Sequence, residues 1–184
     1  MKRFIYLLLI GIFCTSAVAL AQKKKKMSKE ERKAAEKELN MHLFNQAKDA
    51  IENKCFVLEA DRIMFKYGQS TYVTSTTNFV SVDDNKATVQ IAFAGARLGP
   101  NGLGGITVDG TPSKYEIRYD KHGNLTLSMS VQGIGISAQV LIRMSNGSNI
   151  ATADINPNFN SNRMTMRGSI IPLENSNIFK GRSF

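Results

Sequence analysis

At Cys55 the spacing of apolar side chains changes from every fourth residue to every second, so the chain must build one helix and then a sheet. Phe56, Leu58 and Ala60 alternate with Val57, Glu59 and Asp61, and Ile63 and Phe65 continue the strand past a bulge expected near Arg62. Thr71 to Val82 holds a short edge-like piece and then Phe79 to Val82, ending in a turn at Asp83-Asp84-Asn85. Ala87 to Ala94 alternates again, with Ala87, Val89, Ile91 and Phe93 facing a core and Thr88 and Gln90 facing water. Tyr115, Ile117 and Tyr119 share a face, and the turn Asp120 to Asn124 joins them to Leu125, Leu127 and Met129. Ile136 to Ser145, Ile150 to Ile155 and Arg163 to Ile171 follow, the first two separated by the turn dipeptide Asn146-Gly147. From Pro172 the chain is expected to coil along the surface.

Strands joined by short turns pair antiparallel with their sequence neighbours. The predicted fold is therefore all-β: an antiparallel meander of about eight strands, preceded by one N-terminal α-helix. The meander either closes into a lipocalin-like barrel or splits into a two-sheet clamshell, and Gly133, Gly135 and Gly168 offer places for sharp coiling in both.

Ahead of the sheet, residues 22–54 form a basic helical arm free of Gly and Pro. Lys23 to Lys26 open it, and Ser28 with Glu31 has the spacing of a capping box. Ala35, Leu39, Leu43, Ala47 and Ile51 recur every fourth residue, flanked by Phe44 and Ala50, and this stripe needs a surface to pack on. Its own β domain is the first candidate, an anionic membrane surface or other envelope polymer the second, and a second copy the third.

Residues 1–21 read as a signal peptide: Lys2 and Arg3, an apolar run from Phe4 to Phe13, then Ala19-Leu20-Ala21. Lipid anchoring at Cys14 fits poorly, because bulky Phe13 stands where a small residue is needed. Export places the remaining 163 residues in the periplasm or at the envelope, with the β domain at 55–184. Cleavage lowers the net charge from +9 to +7 and leaves Cys55 as the one cysteine, so no internal disulfide can staple the domain. A semi-buried thiol at a strand start is its bland reading.

The runs 56–62 (FVLEADR), 99–108 (GPNGLGGITV), 132–138 (QGIGISA) and 158–163 (NFNSNR) resemble those of a secreted Bacteroidetes family catalogued as domain of unknown function 4251. The resemblance covers about residues 30 to 184 and implies an envelope-facing protein with an N-terminal helix and a β domain. It brings no catalytic residues.

The residues themselves offer little chemistry. A nucleophilic hydrolase would need Ser or Cys beside a general base, and the only histidine of the β domain, His122, lies in a predicted hairpin turn where an exposed, solvated side chain is expected. Glu59 and Asp61 share a face but stand beside Arg62 and Lys66, which predicts a surface salt-bridged cluster ahead of an acid pair for hydrolysis. Asp83, Asp84 and Asn85 supply too few oxygens for calcium, and no metal or cofactor is implied. Nucleic acid is disfavoured, since residues 55–184 carry only +3 and show no basic stripe interleaved with stacking aromatics. The glycine-rich segment Gly95 to Gly110 reads as a long loop with a tight turn at Pro100-Asn101-Gly102 and a brief extended piece at Ile106 to Val108, and Arg97, Leu98, Leu103 and Ile106 are its candidate ligand-binding residues. Together with Met129, Met144, Met164 and Met166 they suggest a non-enzymatic envelope binding module for a small apolar or amphiphilic ligand. The alternatives are a structural or protein-interaction component with a filled core and, more remotely, a hydrolase. An apolar interior cavity of roughly 300 Å³ or more would separate the first two.

Overall fold

The computed structural model describes residues 27–92, 105–134, 137–158 and 163–181. The signal-peptide reading, the four-lysine run, Phe93, Gly135 and Ile136 fall outside them. The chain divides into two units, Met1–Ala35 and Glu36–Phe184.

One helix, α1 (Lys29–Glu52), precedes nine strands. Its capping box forms as expected: the Glu31 amide donates to Ser28 Oγ at 3.1 Å, and the Ser28 amide donates to Glu31 Oε2 at 2.7 Å. The apolar stripe is only half used. Phe44, Ala47, Ala50 and Ile51 are buried, whereas Ala35 and Leu39 are exposed, which corrects the expectation of packing along the whole stripe.

The strands are β1 (Cys55–Phe65), β2 (Ser70–Tyr72), β3 (Phe79–Asp83), β4 (Lys86–Ala92), β5 (Gly105–Tyr119), β6 (Leu125–Gly133), β7 (Ser137–Met144), β8 (Ile150–Pro157) and β9 (Met164–Pro172). Each pairs antiparallel with the next from β3 to β9, and β1 pairs with both β3 and β9. The sheet is thus a closed eight-stranded barrel, with short β2 added beside the far half of β1. Closure removes the free edges a clamshell would keep. The register of β1 on β9 shifts between Ala60 and Arg62, so the expected bulge is there.

Alternation fills the interior. Phe56, Leu58, Leu127, Val140, Ile142, Ile155 and Met166 are among the inward side chains that are at most 2% exposed. The buried residues of α1 join the same apolar cluster. The Tyr115 hydroxyl donates to the Ile51 carbonyl at 2.6 Å, and the Tyr119 hydroxyl donates to Glu52 Oε1 at 2.6 Å. The end of the helix is therefore tied down where its own carbonyls lack intrahelical partners.

Three expectations need correction. First, the extended piece expected at Ile106 to Val108 is there but belongs to a longer strand that takes in Gly105 and Gly110: β5 continues to Tyr119, with a register shift against β6 between Ser113 and Glu116. A Cβ on Gly105 would sit 1.7 Å from the Ile91 carbonyl oxygen, and one on Gly110 would sit 2.0 Å from that of Gln132, so these glycines mark close strand approach. Pro112 is tolerated because pairing with β4 ends at Gly110, leaving that edge of β5 without a ladder partner. Second, Cys55 is exposed rather than semi-buried. Third, Thr88 and Gln90 do not face water. Both are buried, as are Val57 and Phe79 on the same outer face, because the C-terminal segment crosses it. The turn Leu173–Asn175 packs on β1 and β3, and the Phe179 amide then donates to the Thr76 carbonyl at 2.7 Å.

Gln90 holds this strap. Its Nε2 donates to the carbonyls of Thr77 and Phe179 at 3.0 and 2.7 Å, while its Oε1 accepts from the Gly181 amide at 2.7 Å and the Thr107 hydroxyl at 3.1 Å. Buried Asn78 plays a parallel part, accepting from the Ala92 amide at 2.7 Å and donating to the Thr74 carbonyl at 3.0 Å.

Candidate functional site

Of the four residues expected to bind a ligand, Arg97, Leu98 and Leu103 lie outside the described residues. Ile106 sits on β5 opposite Ile91 and packs against the core, so it lines the barrel wall. Met129, Met144 and Met166 are at most 2% exposed and fill the interior. His122 is in an exposed turn whose geometry is set by Asp120, which accepts from the amides of His122 and Asn124 at 2.8 and 2.9 Å. The expected cluster of Glu59 and Asp61 with Arg62 and Lys66 does not form among the described residues. Glu59 accepts instead from the Ser176 hydroxyl of the strap at 2.6 Å, Arg62 lies over the Tyr72 ring at 5.0 Å and Lys66 over Tyr67 at 5.8 Å. Among the described residues no group of three His, Cys, Asp or Glu could hold a metal ion.

The chemistry-bearing surface lies on the outside of the barrel. Strand registers place polar residues in a continuous row across it: Arg62 of β1 stands opposite Tyr72 of β2 on one side and Arg167 of β9 on the other. Arg167 stands opposite Thr152, and Thr152 opposite Arg143. Thr126 and Arg118 extend the row onto β6 and β5. Arg118, Arg143 and Arg167 are exposed, Arg62 is half-buried, and Tyr72 at the end of the row is 78% exposed.

Beside this row an open groove of about 400 Å³ is lined by Ser130, Gln139, Leu141, Arg143, Asp154 and Asn156, among others. A second, of about 550 Å³, lies against Lys66, Met64 and Thr165, and the two share Asn156 and Arg163. Two of the basic groups carry a carboxylate partner: Arg143 pairs with Asp154 at 2.5 Å and Arg118 with Glu116 at 2.9 Å. Arg163 also acts on the Asp154 carboxylate, through space, and among the described residues Arg167 forms no salt bridge.

Partial burial pushes the Asp154 carboxyl up, but hydrogen bonds from Thr165 (2.6 Å) and Arg143 outweigh it and hold the group below its ordinary value of 3.8. A carboxylate that keeps its charge to lower pH when folded stabilises the fold above the unfolded pKa, and that gain is lost as pH falls through the folded one. Wild-type stability in urea is therefore expected to drop between pH 5 and pH 3, at about the carboxylate range, by more than that of Asp154→Asn. The difference is small because the pair is partly exposed, and equal slopes would show that Asp154 is not held in this way.

The fold is a closed antiparallel β-barrel preceded by one α-helix, with arginines on its outer wall. A family model described as "Domain of unknown function (DUF4251)" matches residues 22–170, and the chain belongs to that family. It is also similar to a solved DUF4251 family protein from Bacteroides eggerthii DSM 20697, with 52% identity and a TM-score of 0.69 over 80% of this chain and 99% of that one. No functionally curated protein matches the chain.

Proposed function

We propose that this protein is a non-enzymatic binding component of the cell envelope, exported by residues 1–21, that engages its partner through the outer wall of the barrel. The packed interior carries the reading. Eight strands enclose a space that side chains can fill or that can hold one small ligand, and here inward Phe, Leu, Ile and Met side chains occupy it. The recessed surfaces named above lie outside and are lined largely by amides, hydroxyls and charges. This favours the filled-core alternative over an apolar ligand carrier. The basic, apolar and small-residue succession ahead of Gln22 supports export, and the family match begins at that same residue.

Native mass spectrometry of the protein purified gently from its own host tests the reading. The expected result is the bare polypeptide mass, alone or with a macromolecular partner. A stoichiometric apolar small molecule that survives purification would overturn it in favour of an interior ligand.

A further inference from the structure

We propose that the outer wall of β5 to β9 binds a linear anionic polysaccharide along the arginine row. The inference deepens the surface-binding reading and rests on it. Neighbouring strands lie about 4.8 Å apart, so Arg167, Arg143 and Arg118, on alternate strands, recur at roughly 10 Å. A threonine hydroxyl stands between each two of them. A glycan carrying a carboxylate or sulfate once per disaccharide presents anions at a comparable repeat and hydroxyls in between.

Arg62 and Arg167 face each other directly across β1 and β9. Like charges in that position repel, and no carboxylate bridges them among the described residues. The Nε of Arg62 is buried without a hydrogen-bond partner. An anionic group seated between the two guanidinium planes would relieve the repulsion and accept forked hydrogen bonds. The salt bridges of Arg143 and Arg118 each use one terminal nitrogen, so donors remain on both.

The surroundings favour a sugar over other polyanions. The groove adjoining the row offers Ser130, Gln139 and Asn156, groups that exchange hydrogen bonds with polyols. Tyr72 closes the row with an exposed ring, flat enough to stack on a pyranose face. A single such ring is no stacking platform for successive bases. Among the described residues of this wall the large exposed hydrophobics are scattered, Tyr119 and Ile150 on the strands and Ile134 just after β6, and do not gather into the continuous apolar face with which a protein enters a bilayer.

The test is calorimetric titration of the host-purified protein with chondroitin sulfate, with dextran as neutral control. Binding is expected to chondroitin sulfate, weakening as salt rises, with none to dextran. Arg167→Ala and Arg143→Ala should each weaken it by about tenfold, the worth of a charge-assisted contact, and Lys33→Ala on the helix should leave it unchanged. Tyr72→Ala, remote from the core, provides a second lesion of the row should an arginine variant fail to fold. No binding, unchanged affinity in all row variants, or equal affinity for single-stranded DNA or phosphatidylglycerol vesicles would overturn the proposal. A failed titration with a bare native mass removes the glycan alone, whereas a co-purified interior ligand removes the surface reading beneath it.

Discussion

Replacing Gln90 with Leu is expected to unseat the C-terminal strap and cost about 3 kcal/mol of stability. The side chain is fully buried, and its amide joins four groups from three parts of the chain: Thr77, Thr107, and Phe179 with Gly181. Leu fills a similar volume but satisfies none of them. The carbonyls of Thr77 and Phe179 and the amide of Gly181 would regain partners only by meeting water, which means lifting the strap. Lifting it uncovers Val57 and Phe79, now fully buried. Urea unfolding should show the loss, and trypsin should cut after Lys180 faster in the variant. The ion pair of Lys180 with Asp109, at 2.5 Å, would be released with the strap. An unchanged cleavage rate together with a stability loss under about 1 kcal/mol would show that Gln90 does not hold the segment.

Gly168→Ala is expected to be strongly damaging for a single added methyl. Gly168 faces Ala60 on the seam where β9 meets β1, next to the bulge, and a Cβ there would lie 1.9 Å from the Glu59 carbonyl oxygen. Backbone on both sides leaves no flexible side chain to yield. The seam would have to open by more than an ångström or lose ladder hydrogen bonds, a cost of about 4 kcal/mol. Gly68→Ala provides the contrast: it meets nothing within 4 Å and carries only the strain of its φ of +83°, about 1 kcal/mol. Denaturation midpoints for the two variants should therefore differ widely, and similar midpoints would refute the close-packing account of the seam.

Most of the fold was legible because strand alternation is a local property. Every strand from β6 to β9 follows the period-two pattern, and the turns at Asp84, Gly123 and Gly147 adopt the positive φ that Asp-Asn, His-Gly and Asn-Gly sequences invite. The misreadings have a common cause. Gly105 and Gly110 look like loop residues until the carbonyls of neighbouring strands are seen against them. Thr88 and Gln90 look solvated until a segment some ninety residues later in the chain covers them. Leu39 continues the helix stripe, yet it is 56% exposed because the packing is confined to the C-terminal half of α1.

The candidate site was the least legible part. Arg62, Arg118, Arg143 and Arg167 are far apart in the chain, and each alone is an ordinary polar residue on the outer face of its strand. The sequence by itself determined the helix, the strands, their inward faces and the family, since each depends on residues a few positions apart. Only the tertiary structure decided that the sheet closes, that the interior is packed, and that four arginines, two threonines and a tyrosine share one row. Register couples residues far apart in the chain, as Arg62 and Arg167 show, through backbone hydrogen bonds that carry no side-chain signature.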